Sequence, residues 1–235
     1  MIILTAGHTG PNSGAQCAET HFDEGAENIW LRNRIAEILT NDYGLVVLMD
    51  DDRASLKLLV KALTEDLSLT DDGLQSTDLT PPPYRHLPYK QGRNHESAQH
   101  LKILPLFIGG VPEGGGGSTI DDFVIDLHFN AHTNPNARGT EAIVANDATT
   151  LELRFASRLA HTTSDALDIP LRCIKSESET PHHRLAMLHL TPQSIILEVC
   201  FCTSPEDVEA YRNNREKLAA ELAWAIAELI LDRET

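Results

Sequence analysis

The sequence predicts an α/β fold, a three-layer α/β/α arrangement around a mostly parallel mixed sheet, carrying one long insertion. Three observations predict it. Short apolar runs alternate with amphipathic helical stretches, the pattern of strands joined by crossover helices. The alternation stops between residues 64 and 119, where PPP at 81–83, GG at 109–110 and GGGG at 114–117 punctuate a polar stretch. It then resumes and continues to the closing helical stretch. With 235 residues and 41% apolar content, the chain can bury one sizeable core, so residues 1–235 read as a single domain with the insertion inside it.

Each element follows from its own pattern. Ile2 to Ala6 is an apolar strand, and a loop rich in Gly, Pro and Asn follows to about Phe22. The next stretch, from about Glu24 to Leu39, is an amphipathic helix with Ile29, Leu31, Ile35, Ile38 and Leu39 on its apolar side. Gly44 marks the turn after it, and Leu45 to Met49 is a second strand, completing a β-α-β unit. Leu56, Leu59, Val60 and Leu63 fall at i, i+3, i+4 and i+7, which makes Ser55 to Leu63 helical. Long irregular loops are uncommon inside compact domains unless they are functional or disordered. The insertion is read as lying over or beside the site, with its aromatics and its apolar run LKILPLFI packing part of it. Beyond it, Phe123 to Phe129 and Thr140 to Ala145 read as strands and Thr150 to Ala166 as a helix. Ile169 to Lys175 is an edge strand, Arg184 to His189 a short helix, Ser194 to Val199 a buried strand, and Pro205 to Leu231 a pair of closing helices.

Charge and composition narrow the functional classes. The formal charge is −16, from 35 acidic against 19 basic residues, which opposes condensation onto nucleic-acid phosphates or anionic lipid. Neither nucleic acid nor membrane is an expected partner. Met1 leads straight into an apolar strand without a basic n-region, and no window holds about 18 apolar residues, so no signal peptide or membrane anchor is visible. Cys17, Cys173, Cys200 and Cys202 show no CxxC spacing, and reduced thiols are expected.

Chemistry concentrates at the carboxyl ends of three strands, where open α/β sheets bind ligands. His8 stands in TAGHTG, His128 in DLHFNA and Glu198 in IILEVCF, and Glu24 opens the first helix. A histidine after a strand is, taken singly, more often a surface or core side chain. Here the pattern adds to it. Gly7, Thr9 and Gly10 flank His8, and a missing side chain lets the backbone turn and aim the imidazole at the cleft. His128 lies in an otherwise apolar strand and Glu198 directly follows SIIL, positions where an unpartnered polar group is costly. Two histidines and one carboxylate can hold a catalytic zinc with a coordination position left for water, and a second carboxylate can act as base. His132 makes an HxxxH pair with His128, a spacing that converges only on a helix. Asn134 and Pro135 argue against one, so His132 belongs to the surroundings.

These motifs resemble the zinc-dependent N-acetylmuramoyl-L-alanine amidases of the amidase-3 type. The resemblance rests on GHTGPNSGA, on Glu24 opening a helix that continues to Leu31-Arg32-Asn33, on DLHFNA followed by GTE, on ILEVCF, and on the closing PEDVEAYRNNREKLAAELAWAIAELI. It spans most of the chain except the insertion. It implies a phosphorylase/hydrolase-like sheet, Zn2+ as cofactor held by His8, Glu24 and His128, and Glu198 as the catalytic carboxylate. Glu24 precedes the Leu-Arg-Asn stretch by seven residues as the family glutamate does; Glu27 is the runner-up, and Glu19 and Asp23 read as loop charges. Thr9 departs from the more usual GHGG, and the insertion replaces a shorter connection, which bears on the shape of the cleft more than on the metal ligands.

The implied reaction is hydrolysis of the amide between the lactyl group of N-acetylmuramic acid and L-alanine in peptidoglycan, the implied partner. Asn130 is a candidate donor to the tetrahedral intermediate, and Ser176 to Arg184 is a candidate lining of the groove or an ordinary polar loop. Alternatives are a zinc peptidase acting on cell-wall or free peptides and a non-catalytic wall-binding module. His86, His95 and His100 in the insertion raise a third possibility, an autoinhibitory element folding over the metal, set against the favoured reading of a solvated loop. A cell-wall enzyme without a visible export signal fits a phage-type endolysin released through a separate pore, or an autolysin in its mature form.

Overall fold

The computed structural model describes residues 2–8, 14–50, 123–191 and 193–231. The predicted helix at 55–63 and the insertion at 64–119 lie outside the described residues. Strand β1 (Ile2–Ala6) is followed by two short strands, β2 (Gln16–Cys17) and β3 (Phe22–Asp23), which pair antiparallel in a small separate sheet. Helix α1 (Glu24–Tyr43) and strand β4 (Val47–Met49) complete the first half. The second half runs β5 (Phe123–Asn130), β6 (Thr140–Val144), α2 (Thr150–Leu167), β7 (Leu171–Ser176), β8 (Ser194–Phe201) and α3 (Pro205–Leu231). The main sheet has the order β4-β1-β5-β8-β6-β7. Its pairings are parallel except β6 against β8. The expected α/β class and mostly parallel mixed sheet, flanked by helices, are therefore present, and β7 is the edge strand anticipated.

Local chemistry sets the helix ends. Asp23 extends into the N-cap of α1, where its carboxylate accepts from the Ala26 N–H, so this residue is a helix cap rather than the loop charge expected. At the other end Gly44 takes φ 67°, and its N–H reaches Leu39 and Thr40 carbonyls. Helix α2 opens with a reciprocal capping box between Thr149 and Glu152. The closing segment is one helix of 27 residues rather than the pair expected. The Asn213-Asn214 step does not break it: Asn214 Nδ2 bonds the Ala210 carbonyl one turn back, and neither Gly nor Pro interrupts residues 206–231. The stretch expected as a short helix at 184–189 is a 3-10 turn over Ala186–His189.

The three helices among the described residues pack on one face of the sheet. Ile2, Leu4, Ile125, Leu127, Ile195 and Leu197 turn toward Leu31 and Ile35 of α1, Leu159 of α2 and Leu222 and Ile226 of α3, all fully or nearly fully buried. Alternation sends the intervening residues to the opposite face. There Ile3, Val124, Ile143 and Ile196 meet Met187 and Leu188 of the 3-10 turn. Phe22, Phe129 and Tyr211 stack edge to face and tie the start of α1 to α3. Cys17 and Cys202 are joined as a disulfide, correcting the expectation of reduced thiols for this pair. They lie 185 residues apart, so no local spacing marks them, and they meet because the loop before α1 crosses the end of β8. Cys173 and Cys200 are free. Among the described residues no helix is long and apolar enough to cross a membrane.

Candidate metal centre

The pleat of β5 divides its side chains between core and site. Ile125, Leu127 and Phe129 enter the helical core, while Asp126 and His128 emerge on the other face at the carboxyl end. In register, His128 of β5 lies beside Glu198 of β8, and Glu198 lies beside Glu141 of β6. His8 follows β1 by two residues, and the helix N-terminus brings Glu24 between the two imidazoles. Ligand atoms of His8, Glu24 and His128 all lie within 4.8 Å of one another.

Glu24 is buried and fully engaged. Its Oε2 accepts from the Ala15 N–H at 2.7 Å and its Oε1 from the Phe129 N–H at 3.1 Å. Oε1 lies 3.4 Å from His128 Nδ1 and 3.7 Å from His8 Nε2. Burial pushes its pKa up, but contact with His128, the Ala15 N–H and the charges of both histidines outweigh burial and hold it below the ordinary value. Glu27 faces elsewhere: its carboxylate takes the Tyr211 hydroxyl and Arg215. Glu19 is exposed. Two glycines make room for this packing. A Cβ at Gly7 would collide with the His128 ring, and Gly14, at φ 75°, places its backbone against Glu24 and His8.

His128 is bracketed by carboxylates. Its Nε2 lies 3.1 Å from Asp126 Oδ2, and Asp126 Oδ1 accepts from Thr5 Oγ1 at 2.7 Å. Burial opposes a charge on this ring, yet Asp126, Glu24 and Glu198 together raise its pKa well above the ordinary value. A cluster of carboxylates that draws a proton onto a half-buried imidazole is a place that favours a cation. With Nε2 turned to Asp126, Nδ1 is the atom facing Glu24 and His8, the arrangement in which an outer carboxylate orients a metal-ligating histidine. Sequence reasoning does not single out Asp126. Its only signal is an acid two residues before a histidine in an apolar strand.

Glu198 completes the row. Its Oε2 is shielded from solvent and has no hydrogen-bond partner among the described residues. Burial pushes its pKa up to about 7, with His128 opposing and Glu24 and Glu141 adding to the rise. A carboxyl that exchanges its proton near neutrality is suited to taking and returning one. Asn130, the other residue marked for the chemistry, donates its Nδ2 to Glu141 at 3.2 Å. His132 is exposed, and its Nδ1 accepts from the Asn134 N–H. The segment 176–184 is pinned from beneath by Glu177, which is fully buried and accepts from the Leu185 N–H at 2.7 Å and from His189 at 2.9 Å. Thr9, His86, His95 and His100 lie outside the described residues.

Comparison with known proteins bears on this arrangement. A family profile described as N-acetylmuramoyl-L-alanine amidase matches residues 117–232. No curated protein sequence matches the chain. Among solved structures, the fold is similar to an N-acetylmuramoyl-L-alanine amidase from Clostridium difficile 630, with a TM-score of 0.60 and 18% identity over 99% of this chain and 95% of that one. The catalytic domain of CwlV, an N-acetylmuramoyl-L-alanine amidase from Bacillus (Paenibacillus) polymyxa var. colistinus, gives a TM-score of 0.60 at 17% identity, over 99% and 97% of the two chains. An N-acetylmuramyl-L-alanine amidase from Mycobacterium smegmatis gives 0.60 at 14% identity, over 98% and 96%.

Proposed function

We propose, since residues 117–232 match the N-acetylmuramoyl-L-alanine amidase family profile, that the chain is a zinc-dependent hydrolase of that family, cleaving the bond between N-acetylmuramic acid and L-alanine in peptidoglycan. The observation that carries the zinc reading is the convergence of His8, Glu24 and His128 within 4.8 Å, with Glu198 in register beside His128. Two imidazoles and a carboxylate are a donor set suited to zinc, and three protein ligands leave a position open.

Zinc, when bound, polarises the scissile carbonyl and makes water acidic enough to lose a proton near neutral pH. Glu198 takes that proton as water attacks the amide carbon, and returns it to the departing amine as the C–N bond breaks. The proton is conserved, and the products are a free lactyl carboxyl and a free L-alanine amine. Asp126 holds the His128 ring, Glu24 is fixed by backbone N–H groups, and neither needs to move during the reaction.

The test is release of stem peptide from purified peptidoglycan, with new ends identified by mass spectrometry, for zinc-loaded protein, chelated protein and Glu198→Ala. Free L-alanine amino termini and intact glycan are expected from the zinc-loaded protein. Chelation should abolish the release, and Glu198→Ala should lower it by about 10² to 10⁴-fold. Cleavage within the peptide would assign a zinc peptidase, and binding without any cleavage would assign a wall-binding module.

A further inference from the structure

The row of side chains that begins at the metal centre does not stop at Glu198. Register carries it from His128 to Glu198 on β8, Glu141 on β6 and Cys173 on β7, with Lys175 two residues further along the same face of β7. Glu141 is buried at 4% exposure. Its carboxylate receives Arg172 Nε at 2.5 Å, Lys175 Nζ and Asn130 Nδ2. Two cations thus meet the one Glu141 carboxylate, and Glu198 beside it is the other carboxyl group within reach of Lys175.

Both cations keep donors in reserve. Lys175 Nζ has one acceptor among the described residues and is 22% exposed. Arg172, 41% exposed, lays its guanidinium over the Phe201 ring at 5.0 Å, and its Nη1 reaches only a carbonyl, that of Arg138, at 3.4 Å. The stacking and the Glu141 contact fix the guanidinium while its outer edge stays open to solvent. A clamped guanidinium beside an ammonium is the arrangement that recognises a carboxylate. Lys175 also lies near enough to Glu198 for its charge to act on that carboxyl.

Resting on the amidase reading above, we propose that Lys175 and Arg172, held in place by Glu141, form a subsite for a carboxylate of the stem peptide. Glu141 is the positioning residue. The subsite lies on β7, two strands beyond Glu198 with Glu141 of β6 between them, on the side away from the metal ligands, so a substrate lying across the sheet face reaches both. It selects stem peptides bearing a free carboxylate over those in which the same group is a carboxamide.

The experiment uses zinc-loaded protein and two synthetic muramyl peptides differing only in that carboxylate or carboxamide, with the two corresponding free stem peptides as non-hydrolysable probes. Binding of the free peptides is measured by calorimetry, and hydrolysis of the muramyl peptides is followed in parallel. Carboxylate peptide should bind about tenfold more tightly than carboxamide peptide. Lys175→Met should erase that preference without changing affinity for the carboxamide, and Lys175→Arg should keep it. Equal binding of the two peptides by the wild type, or equal weakening of both by Lys175→Met in protein that melts as the wild type does, overturns the subsite. Should the Met variant fail to fold, the wild-type preference and its retention in Lys175→Arg decide the matter. A carboxylate preference in binding without hydrolysis would leave the subsite standing and remove the amidase reading; hydrolysis without preference would do the reverse.

Discussion

The two faces of the sheet are built from the same strands and do opposite work. On the helical face, β5 and β8 present Ile125, Leu127, Ile195 and Leu197, all at most 1% exposed. On the other face the same two strands present Asp126, His128 and Glu198. One residue of register separates core from chemistry, because side chains alternate strictly along a strand. The apolar face supplies the stability, and that surplus holds buried carboxylates on the other face which would be costly alone.

Breaking the apolar face should have the largest effect. Leu197→Ala removes a fully buried side chain directly beside Glu198. It should cost about 2–5 kcal/mol in urea unfolding while zinc stoichiometry in the folded fraction is retained; loss of zinc from protein that still folds would show that the two faces are not separable. Breaking the polar face should do the converse. Asp126→Asn keeps the shape beside His128 and Thr5 but weakens the acceptor that orients the imidazole. Zinc affinity by competition with a chelator should fall about 10–100-fold with little change in the unfolding midpoint.

A smaller effect sharpens the comparison through pH. Burial pushes Glu141 up, but Lys175 and Arg172 outweigh it and hold its pKa below the ordinary 4.5. A folded-state pKa below the unfolded one means stability that is complete above about 4.5 and is lost as pH falls through the lowered value. The stability difference between wild type and Glu141→Gln, measured by urea unfolding from pH 7 downward, should therefore be constant to about pH 5 and shrink below it. A difference that grows on acidification would mean the carboxylate is not stabilised by its two cations.

Much of the architecture is legible in the sequence. The periodicity of residues 24–39 and 150–166 marks helices that the structure extends by a few residues, and the apolar runs at 2–6, 123–129 and 194–199 are strands of the sheet. The family resemblance prefers Glu24 over Glu27, and the geometry has Glu24 beside both imidazoles and Glu27 against Tyr211 and Arg215. The misses have a common cause. Asp23 as a cap depends on where the helix starts to within one residue. The single closing helix depends on tertiary packing along its whole length, which overrides the weak helix preference of two adjacent asparagines.

What the sequence determined by itself was therefore the order of strands and helices and which side chains stand at strand ends, since both follow from local periodicity. Only the tertiary structure decided that Cys17 meets Cys202, that Asp126 backs His128, and that Glu141 collects Arg172 and Lys175 next to Glu198. Those are contacts between segments brought together by sheet register, and register is set by the packing of a whole face, which no local window of residues contains.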